Sequence, residues 1–218
     1  MKKTWYEIYT NEIEEKGTIS NYVNDKIKTK KNLINLIKKY SPNKKIIEAG
    51  SGTGILSTYL ASLGFDSTAI DIDKEILNLS KKISKEYGSK NTPKFNIDSI
   101  LELNYKKNEF DVSFSNGVLE HFNDEEIIKT LKKQMKIANT VIVGIPTKYF
   151  NDDEAMYGDE RFLKIKYWRK IIEQAGGRIK EEKSCHYLTG FKILINFKKY
   201  FRPYPYRIFV IQKNKPEL

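Results

Sequence analysis

A single cysteine, Cys185, stands in a chain of 218 residues. One thiol excludes an intrachain disulfide framework and a zinc site built from cysteines, and it reads as an ordinary thiol in a reducing compartment. Histidine is almost as scarce: His121 and His186 are the two present. No stretch is long and apolar enough to span a bilayer. The polar start leads into Trp5-Tyr6-Glu7 without the apolar core of a secretion signal, so a cytoplasmic location is expected. Internal repeats and domain boundaries are also missing. Residues 1–218 read as one domain, large enough to bury a core without staples. Leu, Ile, Val and aromatics spread along the whole length exclude disorder.

Charge is what the chain has in excess. The net charge of +11 invites a nucleic-acid reading. The lysines, however, are scattered through helices, with only short runs such as Lys28-Thr29-Lys30-Lys31. Lys, Ile and Asn are abundant together, as AT-rich coding produces. Such charge bears on solubility and nonspecific attraction, and nucleic acid is the less favoured partner.

One stretch organises the rest. Lys44 to Ala49 reads as a short buried strand. Gly50, Gly52 and Gly54 then turn the chain into a helix with Ile55, Leu56, Tyr59, Leu60 and Leu63 on one face. Strand, glycine turn and helix make a place where backbone N–H groups and a helix N-terminus face a ligand. A second strand, Ser67 to Ile72, carries Asp71 at its C-terminal end. There, about 20 residues after the first glycine, an acid can hold ribose hydroxyls, so a nucleoside is expected. A dinucleotide fingerprint needs G-x-G-x-x-G. This chain has G-x-G-x-G, with Ile55 where the third glycine would fall, and Glu48 before the turn disfavours phosphate and suits a cation. An NAD-dependent enzyme is therefore disfavoured.

Glu48-Ala49-Gly50-Ser51-Gly52-Thr53-Gly54 resembles motif I of the class I S-adenosylmethionine-dependent methyltransferases (E/D-x-G-x-G-x-G). Ala69-Ile70-Asp71-Ile72-Asp73 is similar to their acidic second motif. Asp98-Ser99-Ile100, after a third strand at Lys94 to Ile97, resembles the segment whose aspartate and following N–H bind the adenine edge. Phe110 to Phe122, with a fourth strand at Glu109 to Ser115, resembles the fourth-strand signature. The resemblance implies an α/β, Rossmann-like three-layer sandwich. Its seven-stranded, mostly parallel sheet has the order 3-2-1-4-5-7-6 with the last strand antiparallel, over a core at 44–213. It also implies S-adenosyl-L-methionine as cofactor. Glu48, Ala49, Gly50, Ser51, Gly52, Thr53 and Gly54 would hold the methionyl end, and Asp71 with Ile72 the ribose side. Asp98 and Ser99 would take the adenine, and Asn116 and Gly117 would support the methionine side.

The remaining segments fill out this plan. Residues 1–43 read as an N-terminal helical cap, with one helix at Thr4 to Lys16 and a second at Thr18 to Tyr40, stopped by Ser41-Pro42. Asp73 and Asn123 read as N-caps of helices Lys74 to Tyr87 and Asp124 to Ala138. A fifth strand spans Thr140 to Ile145, a helix Lys164 to Ala175, and the last two strands Arg178 to Lys183 and Tyr206 to Gln212. Residues 184–206, basic and aromatic, suit a substrate flap. The loop Thr147 to Phe162 carries Asp152, Asp153, Glu154, Asp159 and Glu160, an acidic mouth that favours a cationic or amine-bearing acceptor.

The expected reaction is methyl transfer to a small-molecule acceptor, releasing S-adenosylhomocysteine. Rival readings are an RNA or tRNA methyltransferase and a non-catalytic partner protein that keeps the fold. If the acceptor arrives protonated a base is needed, and His121, Tyr9, Tyr6 and Tyr149 are the candidates. A metal-using subset of the family carries an extra glutamate where this chain has Gly117, and His186 is remote in sequence, so no metal is expected. The sequence carries no signal for an oligomeric state.

Overall fold

The computed structural model describes residues 4–150, 158–185 and 206–214. Among them the elements run α1 (Trp5–Lys16), α2 (Ile19–Thr29), α3 (Lys31–Tyr40), β1 (Lys45–Ala49), α4 (Ile55–Ser62), β2 (Asp66–Asp71), α5 (Lys74–Tyr87) and β3 (Lys94–Ile97). They continue with β4 (Phe110–Asn116), a 3-10 turn (Leu119–His121), α6 (Asp124–Ile137), β5 (Ala138–Pro146), α7 (Ile165–Gln174), β6 (Gly177–Cys185) and β7 (Tyr206–Lys213). The strands form one sheet in the order β3-β2-β1-β4-β5-β7-β6. The pairs β1–β2, β1–β4, β2–β3 and β4–β5 are parallel. β7 lies antiparallel between β5 and β6. This is the expected architecture.

Strand alternation divides the core between the two faces of the sheet. Ile47, Val141, Val143, Phe209 and Ile211 pack with Trp168, Ile171 and Ile172 of α7 and with Ile127 and Leu131 of α6. Their strand neighbours Ile46, Ile142, Ile208 and Val210 pack with Leu33, Ile34, Leu36 and Ile37 of α3 and with Leu56 and Leu60 of α4. Apolar side chains on both faces explain why these strands read as continuous hydrophobic runs.

The helix expected over Thr18 to Tyr40 is two helices, broken at Lys30, whose φ is −99° and ψ 10°. Lys30 closes α2 by donating its N–H to Lys26 and Ile27 and then serves as N-cap of α3. The two halves bury against different partners. Tyr22 and Val23 join Ile55 of α4 and Leu79 and Ile83 of α5, whereas α3 packs on β4 and β5. No straight helix can present both faces. No proline or glycine marks the break.

α1 is capped at both ends, by a Thr4–Glu7 capping box and by Gly17, yet it has no fully buried residue. Its contacts with α2 and α5 hold it in place. β5 begins at Ala138, two residues before the expected Thr140, because α6 runs into it without a loop. No helix among the described residues is long and apolar enough to cross a membrane. Asp152, Asp153 and Glu154 of the acidic mouth lie outside the described residues, as do His186 and the flap between Cys185 and Tyr206.

Candidate active site

The order β3-β2-β1-β4 places four C-terminal strand ends side by side. They carry Asp98, Asp71, Glu48 with the glycine turn, and Asn116. Strands about 4.8 Å apart spread these groups over about 14 Å, a length that suits an elongated ligand.

The glycine turn is fixed from below and from its sides. The N–H groups of Gly50 and Ser51 both donate to the Ile70 carbonyl, at 3.0 and 2.8 Å. Gly50 has φ +72°, and a Cβ there would stand 2.8 and 2.9 Å from the two methyl groups of Val118. Glycine is needed because the segment after β4 packs directly on the turn. Gly52 has φ +51°, and its missing Cβ position lies 2.8 Å from the Tyr9 hydroxyl of α1. Its N–H donates to Asp71 Oδ2 at 2.8 Å, and its carbonyl accepts from Ser80 Oγ of α5 at 2.7 Å. Thr53 is buried beside them, and Gly54 opens α4 as its N-cap. The turn therefore joins β2, α5 and the N-terminal helices.

The acids around it are desolvated. Glu48 is 4% exposed. Its Oε2 accepts from the Ser57 N–H at 3.0 Å and from Ser57 Oγ at 2.6 Å. Burial pushes its carboxyl up to about 7, against the pull of the Ser57 bonds. Burial also raises Asp71, while N–H donors from Asp73 and Gly52 hold it down. Asp98 Oδ1 accepts from the Ser99 N–H at 2.8 Å, and the Asp98 N–H donates to the Asp71 carbonyl at 3.1 Å, tying the ends of β2 and β3 together. Ile72 is 75% and Ile97 60% exposed, apolar side chains beside these two acids. Ile97 is absent from the sequence-based set; its signal was an apolar residue directly before an acid at a strand end.

Beyond β4 the chain supplies a second group of residues. Asn116 Oδ1 accepts from the Tyr206 hydroxyl at 2.9 Å. The Gly117 N–H donates to the Gly144 carbonyl at 2.9 Å. His121 Nδ1 lies 2.6 Å from Asp159 Oδ1, and the Trp5 ring meets the His121 ring edge-on with centroids 5.7 Å apart. Trp5 in turn stacks on Tyr9 at 5.6 Å. α1 thus covers both the glycine turn and His121. The Tyr9 hydroxyl is raised by burial and by Asp71, Glu12, Glu48 and Glu120 around it, which suits it poorly to proton abstraction. Tyr6 is exposed, and Tyr149 lines an open groove with Lys148, Lys164 and Ile165. Neither is brought to this group.

Three further residues converge here without having been singled out from the sequence. Glu120 is 4% exposed. Burial, first, and then Glu160 and Asp159 push its carboxyl up to about 8. Tyr206, the first residue of β7, carries the Lys30 ammonium 5.2 Å above its ring.

A mostly parallel seven-stranded sheet with β7 reversed, a glycine turn after β1 and an acid at the end of β2 define a class I S-adenosylmethionine-dependent methyltransferase. The chain belongs to this family, whose methyltransferase domain matches residues 40–187. It is 26% identical over 186 residues to an uncharacterized protein of Methanocaldococcus jannaschii, covering 83% of this chain and 79% of that one. It is 28% identical over 149 residues to the ubiquinone biosynthesis O-methyltransferase of Vibrio campbellii, covering 60% of this chain and 62% of that enzyme. Its fold matches magnesium protoporphyrin IX methyltransferase of Synechocystis PCC 6803 with bound S-adenosylhomocysteine. The TM-score is 0.66 at 19% identity, over 87% of this chain and 84% of that one.

Proposed function

We propose that this protein transfers the methyl group of S-adenosylmethionine to a small-molecule acceptor and releases S-adenosylhomocysteine. The observation that carries the reading is the Asp71 carboxylate hydrogen-bonded to the Gly52 N–H, midway along the four adjacent strand ends. The residues present fit the cofactor. The sulfonium and ammonium of S-adenosylmethionine are cations, and they favour the ionised form of the Glu48 and Asp71 carboxyls that flank the turn, whereas a pyrophosphate would oppose it. The elongated edge matches a nucleoside with an amino-acid arm. In this reading Gly50–Gly54 seat the methionyl end, Asp71 the ribose, Asp98 and Ser99 the adenine between Ile72 and Ile97, and Asn116 and Gly117 the methionine side.

The cofactor supplies an electrophilic methyl group. The protein holds an acceptor in line with it, and proximity can contribute about 7–11 kcal/mol of the barrier reduction. His121 takes the acceptor's proton: an Nδ1–H donating to Asp159 leaves Nε2 as the basic nitrogen, and the Trp5 ring fixes the imidazole plane.

Calorimetric titration with S-adenosylmethionine, S-adenosylhomocysteine and NAD tests the reading. Micromolar binding of the first two, about −8 kcal/mol, and its loss in Asp71→Ala are expected. Tight NAD binding, or unchanged affinity in Asp71→Ala, would overturn the assignment.

A further inference from the structure

We propose that Glu120 is the acceptor-binding carboxyl of this enzyme and that the acceptor is an amine, held there as its ammonium before methylation on nitrogen. The inference rests on the methyl-transfer reading above.

Glu120 Oε2 is fully buried and has no hydrogen-bond partner. Its partner Oε1 lies 3.6 Å from the position a Cβ would take on Gly117. The Tyr206 hydroxyl is 3.9 Å from the same point. The carboxyl therefore borders the end of β4, next to Asn116 and beside His121. A buried acid with an unsatisfied oxygen is costly to the folded state. Among the described residues Glu120 Oε2 is the one carboxylate oxygen that is buried without a partner; Asp111, equally buried, accepts from the Asn43 N–H, Asn43 Nδ2 and the Lys45 N–H. The Glu120 carboxyl has its own backbone N–H as a donor and nothing on Oε2, an opening that suits a ligand.

The charges facing Glu120 define that ligand. From the segment after β5, Asp159 and Glu160 face it with negative charge. From the junction of α2 and α3, Lys30 faces it with positive charge. From α1, the Tyr9 hydroxyl feels it, and His121 is its chain neighbour. Among the described residues the carboxyls of Glu120, Asp159 and Glu160 give this place a negative balance that favours a cation. The Lys30 ammonium already sits over the Tyr206 ring, which shows that this wall accepts an ammonium against an aromatic face. Among the described residues no group of three His, Cys, Asp or Glu side chains could hold a metal ion, and the cation proposed is an organic one.

The step balances. The ammonium gives one proton to His121 Nε2, making an imidazolium paired with Asp159 and freeing the nitrogen lone pair. That pair forms the N–C bond while the C–S bond breaks and its electrons return to sulfur. The product leaves as a methylated ammonium, and the His121 proton passes to solvent.

The test uses the full chain saturated with S-adenosylhomocysteine, titrated with phenethylamine, benzylamine and tyramine and with the matching alcohols and phenol. The amines should bind at least tenfold more tightly than their alcohol counterparts. Glu120→Gln should weaken the amines at least tenfold and leave S-adenosylhomocysteine affinity within twofold. Calorimetry in buffers of different ionisation enthalpy should show about one proton released per amine bound near pH 7 and none in Glu120→Gln, because a neutral carboxyl must ionise to meet an ammonium. With S-adenosylmethionine, tyramine should be methylated on nitrogen. Equal binding of amines and alcohols, methylation of the phenol oxygen, or unchanged amine binding in Glu120→Gln would overturn the inference and leave the methyl-transfer reading intact. Magnesium bound through Glu120 with no amine bound would do the same. Failure to bind S-adenosylhomocysteine at all would remove both.

Discussion

Gly50→Ala asks whether the first glycine of the turn is demanded by packing or by ligand. Gly50 sits at φ +72°, where an L-residue costs about 1–2 kcal/mol. The new methyl would stand 2.8 and 2.9 Å from Cγ2 and Cγ1 of Val118. Val118 is branched at Cβ, so turning χ1 exchanges one methyl for the other and does not clear the space. Overpacking of this kind costs about 1–3 kcal/mol. The two contributions together come to about 2–5 kcal/mol, a large part of the stability of an ordinary domain. Val118→Ala removes both offending carbons. Alone it should cost about 1–2 kcal/mol, since Val118 packs at the edge of the main core cluster. In the double variant the overpacking disappears and the dihedral cost remains. Urea unfolding of the four proteins should therefore show a favourable coupling of at least about 1 kcal/mol with an unchanged denaturant slope. Additivity to within about 0.5 kcal/mol would refute the reasoning. Val118 would then not be what excludes a side chain at residue 50.

Asp111→Ala leaves two Asn43 donors and the N–H of Lys45, the first residue of β1, without their acceptor; it should lose about 2–3 kcal/mol while S-adenosylhomocysteine affinity, by calorimetry, stays unchanged. Glu48 and Glu120 ionise near 7 and 8 in the folded chain against about 4.3 when unfolded. Between those limits the folded state holds more protons, so stability should fall as pH rises, by about 1.4 kcal/mol per pH unit for each group, from about 5 to 7 for Glu48 and from about 5 to 8 for Glu120. Urea midpoints that stay flat or rise over that range would refute the burial of these acids. Tyr206→Phe removes the donor to Asn116 Oδ1 and should cost about 1 kcal/mol with severalfold weaker S-adenosylhomocysteine binding. Asp159→Asn frees the His121 imidazole from its carboxylate. It should lower kcat at least tenfold with S-adenosylhomocysteine affinity unchanged, because the imidazolium formed as the acceptor's proton is taken loses its paired carboxylate; an unchanged kcat would deny His121 the role of base.

The sheet was legible because the central strands β1, β2, β4, β5 and β7 are largely buried and most strands are bounded by a glycine, proline or cap. Gly50, Asp73, Gly88 and Asn123 mark ends that the structure confirms to within a residue or two. The break at Lys30 was not legible, since helix propensity and apolar spacing continue through it. Only the partners decide it: α2 faces α4 and α5, and α3 faces the sheet. The start of β5 was missed for a related reason, because α6 enters the strand with no turn residue between them.

The candidate site divides along the same line. The proposed cofactor side could be drawn from the sequence because its groups are contiguous: a turn, an acid at the next strand end and another at the end of the third. Each is fixed largely by its own strand or turn. The proposed acceptor side is assembled from the α2–α3 junction, the turn after β4, the segment before α7 and the first residue of β7. No spacing rule joins Lys30, Glu120, Asp159 and Tyr206. Nor are the helix break and the acceptor side separate matters. A continuous helix would carry residue 30 onward along the axis of α2, whereas the junction at φ −99° turns the chain and leaves its ammonium over Tyr206. The residue that interrupts the helical pattern is thus the one that sets a cation over the Tyr206 ring, beside the proposed acceptor carboxyl, and the sequence carried no local mark of either.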